Sequence, residues 1–258
     1  MKKSFLAYVG GKSLLADKII PFIPSHVLYA EVFGGAGWLL FKKPRSESEV
    51  LNDINGELIN TYRVIQRHLP EFIRVIKHLP ISRDIFEEWQ AMPLDKMSDI
   101  ERAARFYYLI RNAFNGKLVG QRFCLGKSRP TRFNRFGFKR DLLEASKRIA
   151  RVGFENLPYA DFIKRYDADA TFFYLDPPYY NCEDYYGKGI FSKADFISLR
   201  DLLGNIKGKF ILSINDAPDI RTWFSAFFIT EVDTTYSLSS KPKKVTELLI
   251  SNFAFVKG

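Results

Sequence analysis

A chain of 258 residues, 47% of them hydrophobic, has enough apolar side chains to bury a real core, so disorder is excluded as its main state. Lysine and arginine number 39 against 29 aspartates and glutamates, and the resulting +10 charge points to a polyanionic partner, with nucleic acid the leading candidate. The two cysteines show no pairing pattern, the three histidines are scattered, and no apolar stretch approaches the roughly 20 residues of a membrane helix, which argues against a disulfide framework, a bound metal and a membrane role.

The opening Met1-Lys-Lys-Ser is not followed by a signal-type apolar segment, and the chain is expected in the reduced cytoplasm. Tyr8-Val-Gly-Gly-Lys-Ser13 is a glycine turn leading into a helical pattern over 14–20. As a P-loop it is incomplete, because Leu6 stands where the first glycine is needed. A glycine-capped helix start and a lysine beside a cofactor both remain open readings. Val27-Leu-Tyr-Ala-Glu-Val-Phe33 then predicts a strand that runs into Gly34-Gly-Ala-Gly37 and an apolar helix start at Trp38. Strand, glycine turn, helix is a nucleotide-binding plan, since glycines let the backbone approach a ligand that the helix N-terminus faces. The dinucleotide fingerprint fails at Leu40, which disfavours a pyrophosphate. A second strand over 49–51 ends in Asn52-Asp53-Ile54-Asn55, placing Asp53 where ribose hydroxyls are held in such folds. Asp53 equally suits the start of the next helix, with Asn55 as its cap.

From Gly56 onward the spacing is helical, with segments at 72–79, 83–90 and 100–114, and these predict one insert rather than more sheet. Its far end interleaves basic, aromatic and turn residues: Arg111-Asn-Ala-Phe-Asn-Gly-Lys117, Gln121-Arg-Phe123, Lys127-Ser-Arg129 and Thr131-Arg-Phe-Asn-Arg-Phe-Gly137. Such residues meet phosphates, read base edges and stack on bases, although a solvated basic loop has the same composition. A helix over 138–149 closes the insert. The sheet resumes at 152–156, and Tyr159-Ala-Asp-Phe162 puts Asp161 and Phe162 at a strand tip. Thr171-Phe-Phe-Tyr-Leu175 reads as a strand buried on both faces, and Asp176-Pro-Pro-Tyr179 stops it, because two prolines continue neither a ladder nor a helix. Acceptors and a ring at a strand's carboxyl edge suit a ligand site, and a plain turn has the same residues. A helix over 194–203 and strands over 210–214, 227–232 and 245–252 complete the pattern, the last two separated by a basic, serine-rich loop.

Taken in order, these motifs resemble the Dam-type (D12 class, alpha group) DNA adenine-N6 methyltransferases, phage-borne members included, over nearly the whole chain. The matching stretches are Tyr8-Val-Gly-Gly-Lys12, Glu31-Val-Phe-Gly-Gly-Ala-Gly37, Asn52-Asp-Ile-Asn55, Arg111-Asn-Ala-Phe-Asn-Gly116, Tyr159-Ala-Asp-Phe162, Asp176-Pro-Pro-Tyr179 and Lys243-Lys-Val-Thr-Glu-Leu-Leu249. The resemblance implies an α/β fold, a Rossmann-like methyltransferase sheet formed by residues 1–55 and 151–258, with a helical and β-hairpin target-recognition domain inserted at 56–150. It further implies S-adenosylmethionine as cofactor, held by Tyr8, Gly11, Lys12, Glu31, Phe33, Gly34, Gly35, Ala36, Gly37, Asp53 and Asp176, with Asp161 and Phe162 against its adenine. Double-stranded DNA would meet Arg111, Asn112, Asn115, Lys117, Arg122, Lys127, Arg129, Arg132, Asn134 and Arg135. Catalysis would fall to Asp176, Pro177, Pro178 and Tyr179, acting on a base flipped out of the duplex. The expected enzyme needs no metal, no membrane and no obligatory protein partner, and works as a monomer.

The relatives that read GATC use this hairpin, and 117–136 departs from their pattern outside Asn115-Gly116, which leaves the target sequence open, a relaxed preference included. Three rival readings stand beside this one. The first is an amino-nitrogen target in cytosine or in a protein glutamine, although those relatives usually open the tetrapeptide with Ser or Asn. The second is RNA in place of DNA. The third is a DNA-binding module that has lost the chemistry.

Overall fold

The computed structural model of the chain describes residues 4–6, 13–113, 118, 120–124, 137–181, 191–236 and 243–255. Among the described residues seven strands form one sheet: β1 Leu28–Glu31, β2 Ser48–Asn52, β3 Gly153–Glu155, β4 Thr171–Leu175, β5 Lys209–Asn215, β6 Phe228–Tyr236 and β7 Lys243–Ser251. Their order is β3-β2-β1-β4-β5-β7-β6. The first five run parallel, whereas β7 lies antiparallel between β5 and β6. Chain direction across the sheet reverses at β1, whose neighbours are β2 and β4, and the crevice at the carboxyl ends of such strands is where open α/β sheets hold ligands.

Side chains of successive strand residues point to opposite faces, so the sheet serves two cores. One face takes Tyr29, Leu51, Phe172, Tyr174 and Ile211, and the other takes Ala30, Val50, Phe173, Leu175 and Leu212. The second face is covered by α8 Tyr159–Tyr166, α9 Lys193–Leu203 and the short α10 Pro218–Trp223, through Phe162, Phe196, Leu199 and Ile220. The first face is covered by α1 Ser13–Ile19, α2 Trp38–Lys42 and the helices between β2 and β3: α3 Gly56–Arg67, α4 Leu69–Ile76, α5 Arg83–Ala91, α6 Asp99–Asn112 and α7 Phe138–Ile149. The helical insert therefore shares its core with the sheet. Tyr62 on α3 is fully buried, stacked on Phe154 of β3 with ring centres 5.2 Å apart and meeting Phe5 edge-on at 5.4 Å.

Caps define the helix starts. Asn55 Oδ1 accepts from the amides of Glu57 and Leu58 at the head of α3, and Ser98 with Glu101 forms a reciprocal capping box on α6. Away from the crevice, at the start of β2, Glu49 is 7% exposed and receives hydrogen bonds from Lys43 Nζ at 2.6 Å and Arg148 Nη2 at 2.9 Å. Burial alone would raise this carboxyl, but the two cations outweigh it and hold it below its usual range. Arg148 also donates to the Leu40 carbonyl at 2.6 Å, so the last helix of the insert is tied to the helix that follows the glycine turn.

Two expectations change. Residues 159–162 do not extend the sheet; they begin α8, entered from Pro158 with Asp161 in the first turn, a pairing that suits a helix N-terminus better than a strand end. Helix α10 is absent from the sequence pattern, because six residues that follow Asp216-Ala217 and open on Pro218 look like a turn. No helix among the described residues is long and apolar enough to cross a membrane.

Candidate active site

A cavity of ≈ 600 Å³ lies at the carboxyl ends of β1, β2 and β4, bordered by Glu31, the 33–37 turn, Asp53, Tyr159, Asp176 and Pro178. The glycine turn, the acid after β2 and the first residue of the Asp-Pro-Pro-Tyr stretch thus share one space.

Backbone contact shapes the turn. The Gly34 amide donates to the Asn52 carbonyl at 2.7 Å, and Gly37 donates back to the Gly34 carbonyl at 2.7 Å. An added Cβ on Gly34 would sit 2.4 Å from Leu51 Cδ2 and 2.9 Å from the Asn52 carbonyl oxygen, so only glycine fits. Gly37 precedes α2 at φ 62°, a left-handed conformation that glycine adopts without strain. Asp53 is braced from both sides, its Oδ2 accepting from the Gly35 amide and its Oδ1 from the Asn55 amide, each at 2.9 Å. Of the readings the sequence leaves open for this segment, the helix start holds, with Asn55 capping α3, and Asp53 additionally closes the glycine turn. Burial lifts the Asp53 carboxyl above its usual range despite those two bonds.

Glu31 ends β1 at 2% exposure and accepts from the Tyr29 hydroxyl at 2.8 Å and from the Leu40 amide in the first turn of α2 at 3.2 Å. Burial, with the neighbouring Asp176 charge adding to it, pushes this carboxyl up to about 8. Asp176 follows β4 and accepts a hydrogen bond of 3.4 Å from Ser213 Oγ on β5. Both prolines after it are buried, although only Pro178 borders the cavity. Tyr179 is half-buried and donates its phenol hydrogen to Glu247. Just beyond, Asn215 at the end of β5 grips the backbone of Tyr180, accepting from its amide at 2.9 Å and donating to its carbonyl at 3.3 Å. The tetrapeptide is thereby held at both ends.

Phe33 of the expected turn is joined by two rings that spacing alone does not single out, Tyr159 and Phe191, to complete the wall. Phe33, Tyr159 and Phe191 form a triangle with ring centres 5.8 to 5.9 Å apart, and all three border the cavity. Tyr159 stands two residues before Asp161, in the same matched stretch. Its hydroxyl donates to Asp195 at 3.4 Å, and burial together with that carboxylate raises it to about 12.

Four of the expected site residues lie away from the cavity or are engaged within the fold. Phe162 is fully buried beneath the sheet and Asp161 is exposed on the outer side of α8, so neither borders the cavity; Tyr159, one turn earlier on that helix, does. Asn112 is fully buried, donating to the Tyr108 carbonyl at 2.9 Å while its own carbonyl accepts from the Cys124 amide at 2.7 Å, and it therefore shapes the end of α6 instead of reaching DNA. Arg111 packs over the Tyr107 ring at 5.1 Å and donates to the Phe5 carbonyl, which gives it a bracing role as well. Arg122 remains exposed, as a DNA contact requires, and Leu118 brings the segment after α6 to the cavity. Tyr8, Gly11, Lys12, Asn115, Lys117, Lys127, Arg129, Arg132, Asn134 and Arg135 lie outside the described residues.

A parallel sheet carrying one antiparallel strand, a glycine turn after β1, an acid after β2 and an acidic Pro-Pro-Tyr stretch after β4 define the class of Rossmann-like methyltransferases. The D12 class N6 adenine-specific DNA methyltransferase family matches residues 8–238, and the chain belongs to it. Among similar proteins are the type II methyltransferase M1.LlaDCHI of Lactococcus lactis subsp. cremoris, 28% identical across 97% of this chain and 95% of that protein. The type II methyltransferase M.CviBI of Paramecium bursaria Chlorella virus NC1A is 25% identical across 97% and 100%. The DNA adenine methylase of Escherichia coli (strain K12) is 26% identical across 96% and 95%. The chain is an adenine-specific DNA methyltransferase.

Proposed function

We propose that the cavity binds S-adenosylmethionine and that the Asp176-Pro-Pro-Tyr179 stretch presents to it an adenine flipped out of double-stranded DNA. The observation that carries this reading is the common wall formed by the 33–37 turn, Asp53 and Asp176. The donor set suits that cofactor: Glu31, Asp53 and Asp176 offer carboxylates to a cationic amino acid moiety and to ribose hydroxyls, the turn leaves no room beside Gly34, and Phe33, Tyr159 and Phe191 offer apolar faces. When bound, the cofactor supplies an electrophilic methyl group on a sulfonium.

The residues of this chain do the rest. Adenine's amino lone pair is delocalised into the ring, and a stacked base is out of reach, so extrusion comes first. Tyr179 stacks on the extruded base, while the Asp176 carboxylate and the Pro177 carbonyl accept hydrogen bonds from its amino hydrogens. Fixed acceptors favour a pyramidal nitrogen and stabilise the positive charge that grows on it during transfer. Holding both reactants at contact distance supplies much of the remaining acceleration. Residues 56–150 carry target recognition, with Arg122 among the DNA contacts. A DNA substrate favours the cytoplasm.

The test uses labelled S-adenosylmethionine and mixed-sequence duplex DNA, with modified adenines mapped by sequencing. Wild-type protein is expected to label adenine N6, and Asp176→Ala to keep binding DNA while losing transfer by about 10²-fold or more even at saturating cofactor. Near-normal turnover in that variant would refute the role given to Asp176.

A further inference from the structure

The last strand carries a carboxylate for which the reaction above has no use. Glu247 sits on β7 at 1% exposure. Because β7 is antiparallel, its register places Glu247 opposite Asn215, the final residue of β5, so an acid from the middle of β7 arrives at the carboxyl edge of the parallel strands. There it accepts the phenol hydrogen of Tyr179. We propose that Glu247 is a positioning residue for methyl transfer, holding the ring of Tyr179 at the angle on which the flipped adenine stacks. The inference rests on the stacking role given to Tyr179.

Three observations converge on it. The two prolines fix the backbone before the ring, and Asn215 fixes the backbone after it, but neither restrains the side-chain torsions of Tyr179. The bond at the phenol oxygen does, because it holds the far end of the ring. A carboxylate is costly to bury unless it is hydrogen-bonded, so a fold that keeps Glu247 covered couples its own stability to a fixed Tyr179. A carboxylate that accepts from a phenol also pushes electron density into the ring, and an electron-rich face attracts the positive charge that develops on the adenine amine. A mere brace for the sheet would do neither of the last two things.

The experiment compares Glu247→Gln, Glu247→Ala, Tyr179→Phe and the Y179F/E247A double variant by single-turnover transfer to duplex DNA, cofactor titration, and fluorescence of 2-aminopurine placed at a mapped target adenine. Y179F and E247A are each expected to slow transfer by about 10- to 100-fold and to weaken the flipping signal, the size of effect that a displaced reactant produces. The double variant should be no slower than the worse single, cofactor affinity should hold, and E247Q, which keeps an acceptor without the charge, should recover part of the rate. Independent, multiplying effects would overturn the inference, as would E247A with unchanged rate and flipping. Should E247A fail to fold, an undiminished rate in both Y179F and E247Q would overturn it equally. Tyr179→Ala separates the two layers. Intact flipping in that variant defeats the stacking role itself, whereas its loss beside unaffected Y179F and E247A defeats only the inference about Glu247.

Discussion

Replacing Glu31 with glutamine should stabilise the cofactor-free protein at neutral and alkaline pH while weakening its hold on a cationic ligand. The carboxyl is pushed from 4.5 to about 8 by burial, with Asp176 adding to the effect. Between those values the folded chain keeps a proton that the unfolded chain has released, so stability falls as pH rises, by about 1.4 kcal/mol per unit. Across the whole window the loss is on the order of 4–5 kcal/mol. Glutamine retains an acceptor for the Tyr29 hydroxyl and the Leu40 amide but has no proton to release. Urea unfolding of both proteins from pH 4 to 9 should therefore give curves that converge at the acid end. At the alkaline end they should separate by several kcal/mol, equivalent to a shift on the order of 10 °C in melting temperature. The same logic has cofactor binding near neutral pH expel the Glu31 proton, visible as a buffer-dependent heat in calorimetry. If the two proteins track each other in parallel from acid to alkaline pH, the argument about Glu31 is wrong.

Gly34→Ala should lose about 1–3 kcal/mol of stability, because its Cβ would meet buried Leu51 at 2.4 Å; cofactor titration should show affinity lost as well, and an unstrained, fully binding variant would contradict the close approach. Arg148→Met removes one cation from buried Glu49 and should cost about 3 kcal/mol or more in denaturant unfolding, the Lys43 bond sparing the rest. Arg122→Ala should either change which adenines are methylated, if the side chain reads a base, or weaken all sites alike and lower the salt slope by about one, if it meets a phosphate. Sequencing of methylated mixed DNA at two salt concentrations distinguishes these outcomes, and a variant indistinguishable from wild type in both removes Arg122 from the interface.

Strand β4 is legible in the sequence because it is a short uncharged run closed by two prolines that break the ladder, and it falls at 171–175 as its composition requires. The glycine turn and Asp53 are legible for a related reason, since a close backbone approach admits few residue types. The helix opening at Tyr159 is not, because four residues are too few to separate a period of two from one of 3.6. Arg111 and Asn112 have the composition of a DNA contact, but α6 continues through both, and helical spacing turns Asn112 back onto Tyr108 four residues earlier. Glu247 is hidden for a different reason. Its value depends on which residue of β5 it opposes, and the register of an antiparallel pair is a property of the assembled sheet.

The placement of β7 also orders the assembly of the protein in time. Until residues 243–251 leave the ribosome, β5 is the outer strand, and Phe210, Ile211 and Leu212 present an unpaired apolar edge of the kind that recruits other chains. In the closed sheet β7 pairs with β5 on the inside and with β6 outside it, which also delivers Glu247 to Tyr179. Truncation within β7 should thus produce an insoluble chain in place of a soluble, inactive one, and the site acquires its last carboxylate only when the sheet closes.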